Sequence, residues 1–177
     1  MLKKFLIGIA VVIIGFLVVV ALQPADYRVA RSITMSASPA VVFPHVNELK
    51  KWEAWSPWKK IDPDMKLANE GPASGVGAAY AWIGNHDVGE GCMTITESRA
   101  NELVRLKLEF VKPMTGVSTS EFRFKPLGNQ TEVTWSMTGK HDFIAKAMFM
   151  NMDRMIGGKF EKGLAKLKSV AEAGGRK

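Results

Sequence analysis

The chain has 177 residues, of which 47% are hydrophobic and 23% charged, and it carries a net charge of +7. This length and balance suit one domain of ordinary globular composition and exclude a largely disordered or fibrous chain. The single cysteine, Cys92, excludes an internal disulfide and a multi-cysteine zinc site, and His45, His86 and His141 are too scattered for a ligand set.

The first element is apolar. Residues 5–22 are 18 consecutive uncharged residues, preceded by Lys3 and Lys4 and ended by Gln23-Pro24. As a helix they span about 27 Å, close to the thickness of a hydrocarbon core. Three readings compete. A cleaved signal peptide has a passable cut site at Val19-Val20-Ala21, but its apolar region is normally shorter. A buried core helix is disfavoured because the stretch is apolar all round. An uncleaved anchor fits best, which divides the chain into an anchor, 1–23, and one domain, 24–177. Lys3 and Lys4 favour a cytoplasmic N-terminus, so the domain is expected outside the cytoplasm, in the periplasm where there is one. All 17 acidic residues and 22 of the 24 basic ones follow the stretch, leaving the domain at +5. The lysines are dispersed, which fits solubility as well as attraction to an anionic bilayer.

In Tyr27 to Met35, apolar Tyr27, Val29, Ile33 and Met35 alternate, with Arg31 out of pattern; this predicts a half-buried strand. Ser38-Pro39 reads as the start of a short helix that Pro44 limits or kinks, and Asn47 as the cap of a second one through Trp52. Six further strands are expected at 65–69, 77–83, 90–98, 102–111, 117–125 and 131–137. The clearest places Val104, Leu106, Leu108 and Phe110 on one face and Arg105, Lys107 and Glu109 on the other. Such alternation means an antiparallel sheet with one buried face. After a shorter helical piece at 142–156, broken at Gly157-Gly158, an amphipathic helix carries Phe160, Leu164, Leu167 and Ala171 on one side.

The expected fold is α+β: a curved seven-stranded antiparallel sheet gripping a long C-terminal helix, two short helices after the first strand, and an N-terminal transmembrane helix. A space between sheet and helix would be apolar. Its expected lining is Tyr80, Trp82, Met93, Ile95, Val104, Leu106, Leu108, Phe110, Phe122, Phe124, Val133, Trp135 and Leu164. Inward polar candidates are Asn69, Tyr80 and Ser120.

Trp52, Trp55 and Trp58 stand three apart among lysines, and Met148, Met150, Met152 and Met155 crowd together. Trp55, Trp58, Met148 and Met152 are candidates for the mouth of the space, since tryptophan suits an apolar–wet boundary and methionine adapts to irregular ligands; core packing is the competing explanation for both groups. His86 sits in a turn beside Asp87 without a nucleophile, and His141-Asp142 reads as a helix start. Cys92 faces outward if Met93 and Ile95 face inward. No catalytic set, metal site or cofactor motif is visible. Gly75, Gly77, Gly84, Gly89 and Gly91 lack the setting of a phosphate loop, and the scattered basic residues do not suit nucleic acid.

The element order resembles the helix-grip fold of the START-like (SRPBCC) superfamily, and within it the polyketide cyclase/dehydrase and lipid-transport type. The resemblance is carried by Ser36-Ala37-Ser38-Pro39-Ala40-Val41-Val42-Phe43, by Trp52-Glu53-Ala54-Trp55-Ser56-Pro57-Trp58, and by Met152-Asp153-Arg154-Met155-Ile156 with residues 160–168. Gly75-Val76-Gly77-Ala78 and Val88-Gly89-Glu90-Gly91 add to it. It implies a hydrophobic cavity and a lipid-like or polycyclic ligand, but no shared catalytic set. The first expectation is a membrane-anchored module that binds a hydrophobic small molecule or lipid. A cavity enzyme of cyclase, dehydratase or hydrolase type and an envelope protein-interaction domain are the alternatives.

Overall fold

The computed structural model describes residues 2–148 and 151–174. The first helix, α1 (Leu2–Leu22), carries side chains that are exposed almost throughout, Val20 being buried. Three residues lead from it into β1 (Asp26–Met35). Then come α2 (Pro39–Asn47), a 3-10 segment (Leu49–Ala54) and the single turn α3 (Trp58–Ile61). The strands β2 (Lys66–Glu70), β3 (Ala79–Ile83), β4 (Glu90–Arg99), β5 (Leu103–Lys112), β6 (Gly116–Leu127) and β7 (Gln130–Lys140) follow. The chain closes with α4 (Phe143–Met148) and α5 (Met152–Gly174).

The seven strands form one antiparallel sheet in the order β1-β7-β6-β5-β4-β3-β2. The chain therefore runs across the sheet by hairpins from β2 to β7, and β1 joins the β7 edge. The alternation read from sequence sets the register. Val104, Leu106 and Leu108 of β5 stand opposite Phe122, Ser120 and Ser118 of β6, and Phe122 and Phe124 stand opposite Trp135 and Val133 of β7. These side chains share the face that α5 covers. On the other face Arg105 pairs with Glu97 and Glu121, and Arg123 also pairs with Glu121. Burial alone would raise the Glu121 carboxyl, but hydrogen bonds from Arg105 and Arg123 outweigh it and hold the group below its usual value. Such half-exposed pairs stabilise by at most about 1 kcal/mol each and mainly keep the outer face wet.

Two local expectations are corrected. The terminal helix does not break at Gly157-Gly158; α5 runs through both glycines. The reason is tertiary. Arg31, the one charged residue on the inner face of β1, reaches α5, and a Cβ at position 157 would run into its guanidinium. The glycine is there for close approach, and the helix hydrogen bonds do not need a side chain. The second short helix is a 3-10 segment, with Glu48 and not Asn47 at its start. Asn47 instead accepts a hydrogen bond from Ser98 Oγ at 2.8 Å, tying α2 to β4. A helix start at His141-Asp142 is observed: Asp142 Oδ1 accepts from the backbone N–H of Ala145 at 2.8 Å.

The register also gives the sheet two distinct ends. At the end where α1 enters lie Asp26 opposite Lys140, Gly116 opposite Phe110, and Lys66 opposite Ile83. At the far end lie Met35 opposite Thr131, Leu103 opposite Arg99, and Glu70 opposite Ala79.

Candidate functional site: a one-sided apolar interior

The interior between sheet and α5 is built around aromatic rings. Trp135 of β7 is stacked between Phe122 of β6 at 4.9 Å and Phe160 of α5 at 4.0 Å, the latter pair within 8° of parallel. Trp52 and Trp55 pack edge-on against Phe122 and Trp135 at 5.6–6.3 Å. Each indole N–H is satisfied. Trp135 donates to Ser120 Oγ at 2.9 Å, Trp52 to the carbonyl of Val46 at 2.8 Å, and Trp55 to that of His45 at 2.9 Å. Aromatic pairs in these geometries add about 0.5–1.5 kcal/mol each beyond their burial. The middle of the expected space is thus occupied by the protein's own side chains.

Gly163 lets α5 sit this close, because a Cβ there would lie 2.8 Å from Trp135 and 3.1 Å from Pro57. Arg31 fixes the start of the helix. Its guanidinium donates to Asp153 at 2.7 and 3.0 Å and to Glu161 at 2.6 Å. Hydrogen bonding to Arg31 holds the Asp153 carboxyl below its ordinary value. The residue that breaks the alternation of β1 is therefore the clamp between strand and helix.

Along β5, and from Phe160 back to Met152 on α5, cover falls toward the α1 end. On β5, Leu103, Val104 and Leu106 are fully buried, whereas Leu108 and Phe110 are half-buried. On α5, Phe160, Leu164, Leu167 and Ala171 are buried, whereas Met152 and Ile156 are half-buried. Leu67, Val88 and Trp58 are partly covered as well, and so, toward the far end, are Ile33, Val41 and Val170. Two concavities also open at the α1 end. One of about 190 Å³ is lined by residues of the β3–β4 turn with Lys112 and Pro113. A broader one of about 590 Å³ lies over the ends of β1, β6 and β7, with Tyr27, Ser118 and Gly139 among its lining residues. Neither is lined by any of the thirteen residues expected to line the space.

Of those thirteen, Tyr80, Trp82, Met93, Ile95, Val104, Leu106, Phe122, Phe124, Val133, Trp135 and Leu164 are buried in one continuous core, and Leu108 and Phe110 lie at its open rim. Of the four mouth candidates, Trp55 is 1% exposed and sits in the packed centre. Trp58 is half-buried, with Lys159 Nζ 4.7 Å over its ring. Met152 is on the rim and Met148 is exposed on α4. Met155 is exposed on α5, and Met150 lies outside the described residues.

Polar groups inside are few. Tyr80 is pushed up to about 12 by burial and by nearby Glu53. The Tyr27 hydroxyl and Ser118 Oγ share a hydrogen bond of 2.7 Å, and burial raises Tyr27 against that bond. His141 stacks on Tyr27 at 4.5 Å. The Tyr27–Ser118 pair was missed in the sequence, although Ser118 is in phase with Ser120 and Phe122. Ser120 faces inward as expected but is engaged by Trp135, and Asn69 is exposed. His86 is exposed in the β3–β4 turn, 3.6 Å from Asp87. Cys92 faces outward toward Glu109, and burial followed by that carboxylate raises its thiol. Among the described residues no three His, Cys, Asp or Glu side chains are grouped to hold a metal ion.

The model of the family described as "Polyketide cyclase / dehydrase and lipid transport" matches residues 26–172. Solved structures share the fold at low identity. Protein CV1439 from Chromobacterium violaceum is 15% identical with a TM-score of 0.60, over 85% of this chain and 99% of that one. The Aha1 dimer from Colwellia psychrerythraea is 19% identical with a TM-score of 0.59, over 82% and 96%. The hypothetical protein jhp0584 from Helicobacter pylori is 11% identical with a TM-score of 0.62, over 83% and 89%. No curated protein matches the chain.

Proposed function

Because the chain belongs to the polyketide cyclase/dehydrase and lipid-transport family, with the helix-grip fold of SRPBCC proteins, we propose that it is a membrane-anchored module that binds a hydrophobic small molecule or lipid through the open end of its sheet–helix interior. The carrying observation is the change in cover along β5 and α5: Val104, Leu106, Phe160 and Leu164 are buried, whereas Leu108, Phe110, Met152 and Ile156, nearer α1, are half-covered. A greasy ligand laid against Leu108, Phe110, Met152 and Ile156 gains about 25 cal/mol per Å² of apolar surface it covers. The Tyr27–Ser118 hydroxyls at the same end could orient a polar head. The aromatic stack then acts as the floor of the site, not as its lining, and Met152 is its adaptable wall.

Anchoring is supported by α1. It has 21 residues, about 31 Å of helix, with a mean hydropathy of 3.3 over its most apolar window, and it is hardly covered by the rest of the protein. Lys3 and Lys4 before it favour export of the domain, hence a periplasmic site in a cell with two membranes.

The test is native mass spectrometry and lipid extraction of the full chain taken from its membrane in mild detergent, followed by titration with a fluorescent fatty acid. Bound apolar ligand is expected, with affinity lost in Leu108→Trp and retained in a far-end surface variant, Leu127→Ala. A protein that carries no ligand and binds no probe overturns the reading. Binding that is unchanged by Leu108→Trp removes the ligand from this end.

A further inference from the structure

From the placement of the exposed apolar residues, we infer that α4 and the adjoining strand ends lie on the surface of the bilayer that holds α1, so that the loosely packed end of the interior opens onto lipid. This rests on the anchored reading above and adds the orientation of the domain.

The tether is the first argument. Residues 23–25 allow at most about 14 Å between the end of α1 and the start of β1, so the α1 end of the sheet stays at the headgroup region. Contact is the second. α4 packs against α1. Val20 is fully buried although the rest of the helix is bare, and Ala145 of α4 is buried as well. A helix that touches the last turn of a spanning segment lies at headgroup depth.

The third argument is an asymmetry. Outside α1, the exposed large apolar side chains at the α1 end are Phe143, Ile144 and Met148 of α4, Met155 of α5, and Ile83, Val111 and Val117 at strand ends. The far end shows Val76 and Leu127. Ile144 and Met148 are 63% and 57% exposed and, four residues apart, share one face of α4. Scattered surface hydrophobics need no explanation, but their collection at the end nearest the spanning helix does. A bilayer interface accepts such side chains at about 25 cal/mol per Å² covered, and the anchor has already confined the domain beside it. The same end holds the half-buried Leu108, Phe110, Met152 and Ile156. A lipid tail could therefore pass between membrane and interior without crossing water.

The experiment uses the full chain with Cys92→Ser, reconstituted one copy per nanodisc in mixed zwitterionic and anionic phospholipid. Single spin labels are placed at Ile144→Cys and Met148→Cys, with Leu127→Cys as the far-end reference and Val12→Cys in α1. Collision with dissolved oxygen is compared with collision with a water-soluble nickel complex. The oxygen-to-nickel ratio is expected to rise severalfold at 144 and 148 over that at 127, and to be highest at 12. A ratio at 144 and 148 equal to that at 127, with 12 in lipid, overturns the docking alone. A water-exposed label at 12 overturns the anchor and the docking together. Since each disc holds one copy, protection at 144 and 148 cannot come from a second molecule.

Discussion

Phe160→Ala removes the outer ring of the stack and so probes whether α5 is held by the aromatic block. The side chain is 2% exposed and lies parallel to Trp135 at 4.0 Å. Trp135 cannot follow it, because its indole N–H is held by Ser120 and its other face rests on Phe122. The void therefore persists, and the change falls in the range for buried phenylalanine truncation, about 3–5 kcal/mol. For a domain of this size 1 kcal/mol moves Tm by about 2–4 °C, so a fall of about 6–20 °C is expected. The assay is thermal unfolding of the full chain in detergent micelles, followed by near-ultraviolet circular dichroism, since α1 would keep its helical signal in the micelle. Met155→Ala, at an exposed position of the same helix, should stay within about 0.5 kcal/mol of the parent. A Phe160→Ala loss no larger than that of Met155→Ala would refute the reasoning, because the helix would then be held by something other than this stack.

The packing gradient predicts that Leu106→Ala costs about 2–5 kcal/mol and Leu108→Ala markedly less, measured by denaturant unfolding, although both leucines face the same way on one strand. Two glycines of α5 should respond with opposite sign in the same assay. Gly158→Ala meets nothing within 4 Å and should gain about 0.5–1 kcal/mol of helix propensity, while Gly163→Val drives a side chain into Trp135 and Pro57 and should lose about 1–3 kcal/mol. The Arg31 clamp predicts an acid response. The folded Asp153 value is depressed, so its contribution is complete above the unfolded carboxylate value near 4 and is lost as pH falls through the folded one. Hydrogen exchange over residues 152–161 should therefore gain protection between acid and neutral pH in the parent, and Arg31→Met should remove that pH dependence.

The architecture was legible because it rests on periodicity. A strand with one wet face must alternate, and Val104, Leu106, Leu108 and Phe110 against Arg105, Lys107 and Glu109 leave one orientation open to β5. The helical spacing of Phe160, Leu164, Leu167 and Ala171 likewise gave α5 its buried side, and the uninterrupted apolar run gave α1. The same patterns placed Ser120 inward and Cys92 outward.

What periodicity cannot carry is distance across the fold. Arg31 looked like a flaw in an alternating strand until α5 brought Asp153 and Glu161 within hydrogen-bonding reach, and Gly157 looked like a break until that guanidinium filled the space beside it. Trp55 and Trp58 are three residues apart in one motif, yet one is core and the other rim, because which tryptophan meets Phe122 depends on how the 3-10 segment turns. Alternation marks a face as apolar without saying how tightly another element covers it. The sequence by itself determined which side chains turn inward. Only the tertiary structure decided that the interior is closed by Trp135, Phe122 and Phe160 at its centre and leaves Leu108, Phe110, Met152 and Ile156 half-covered, because coverage depends on where α5 and the short helices come to rest on the sheet, and no local pattern of residues encodes that.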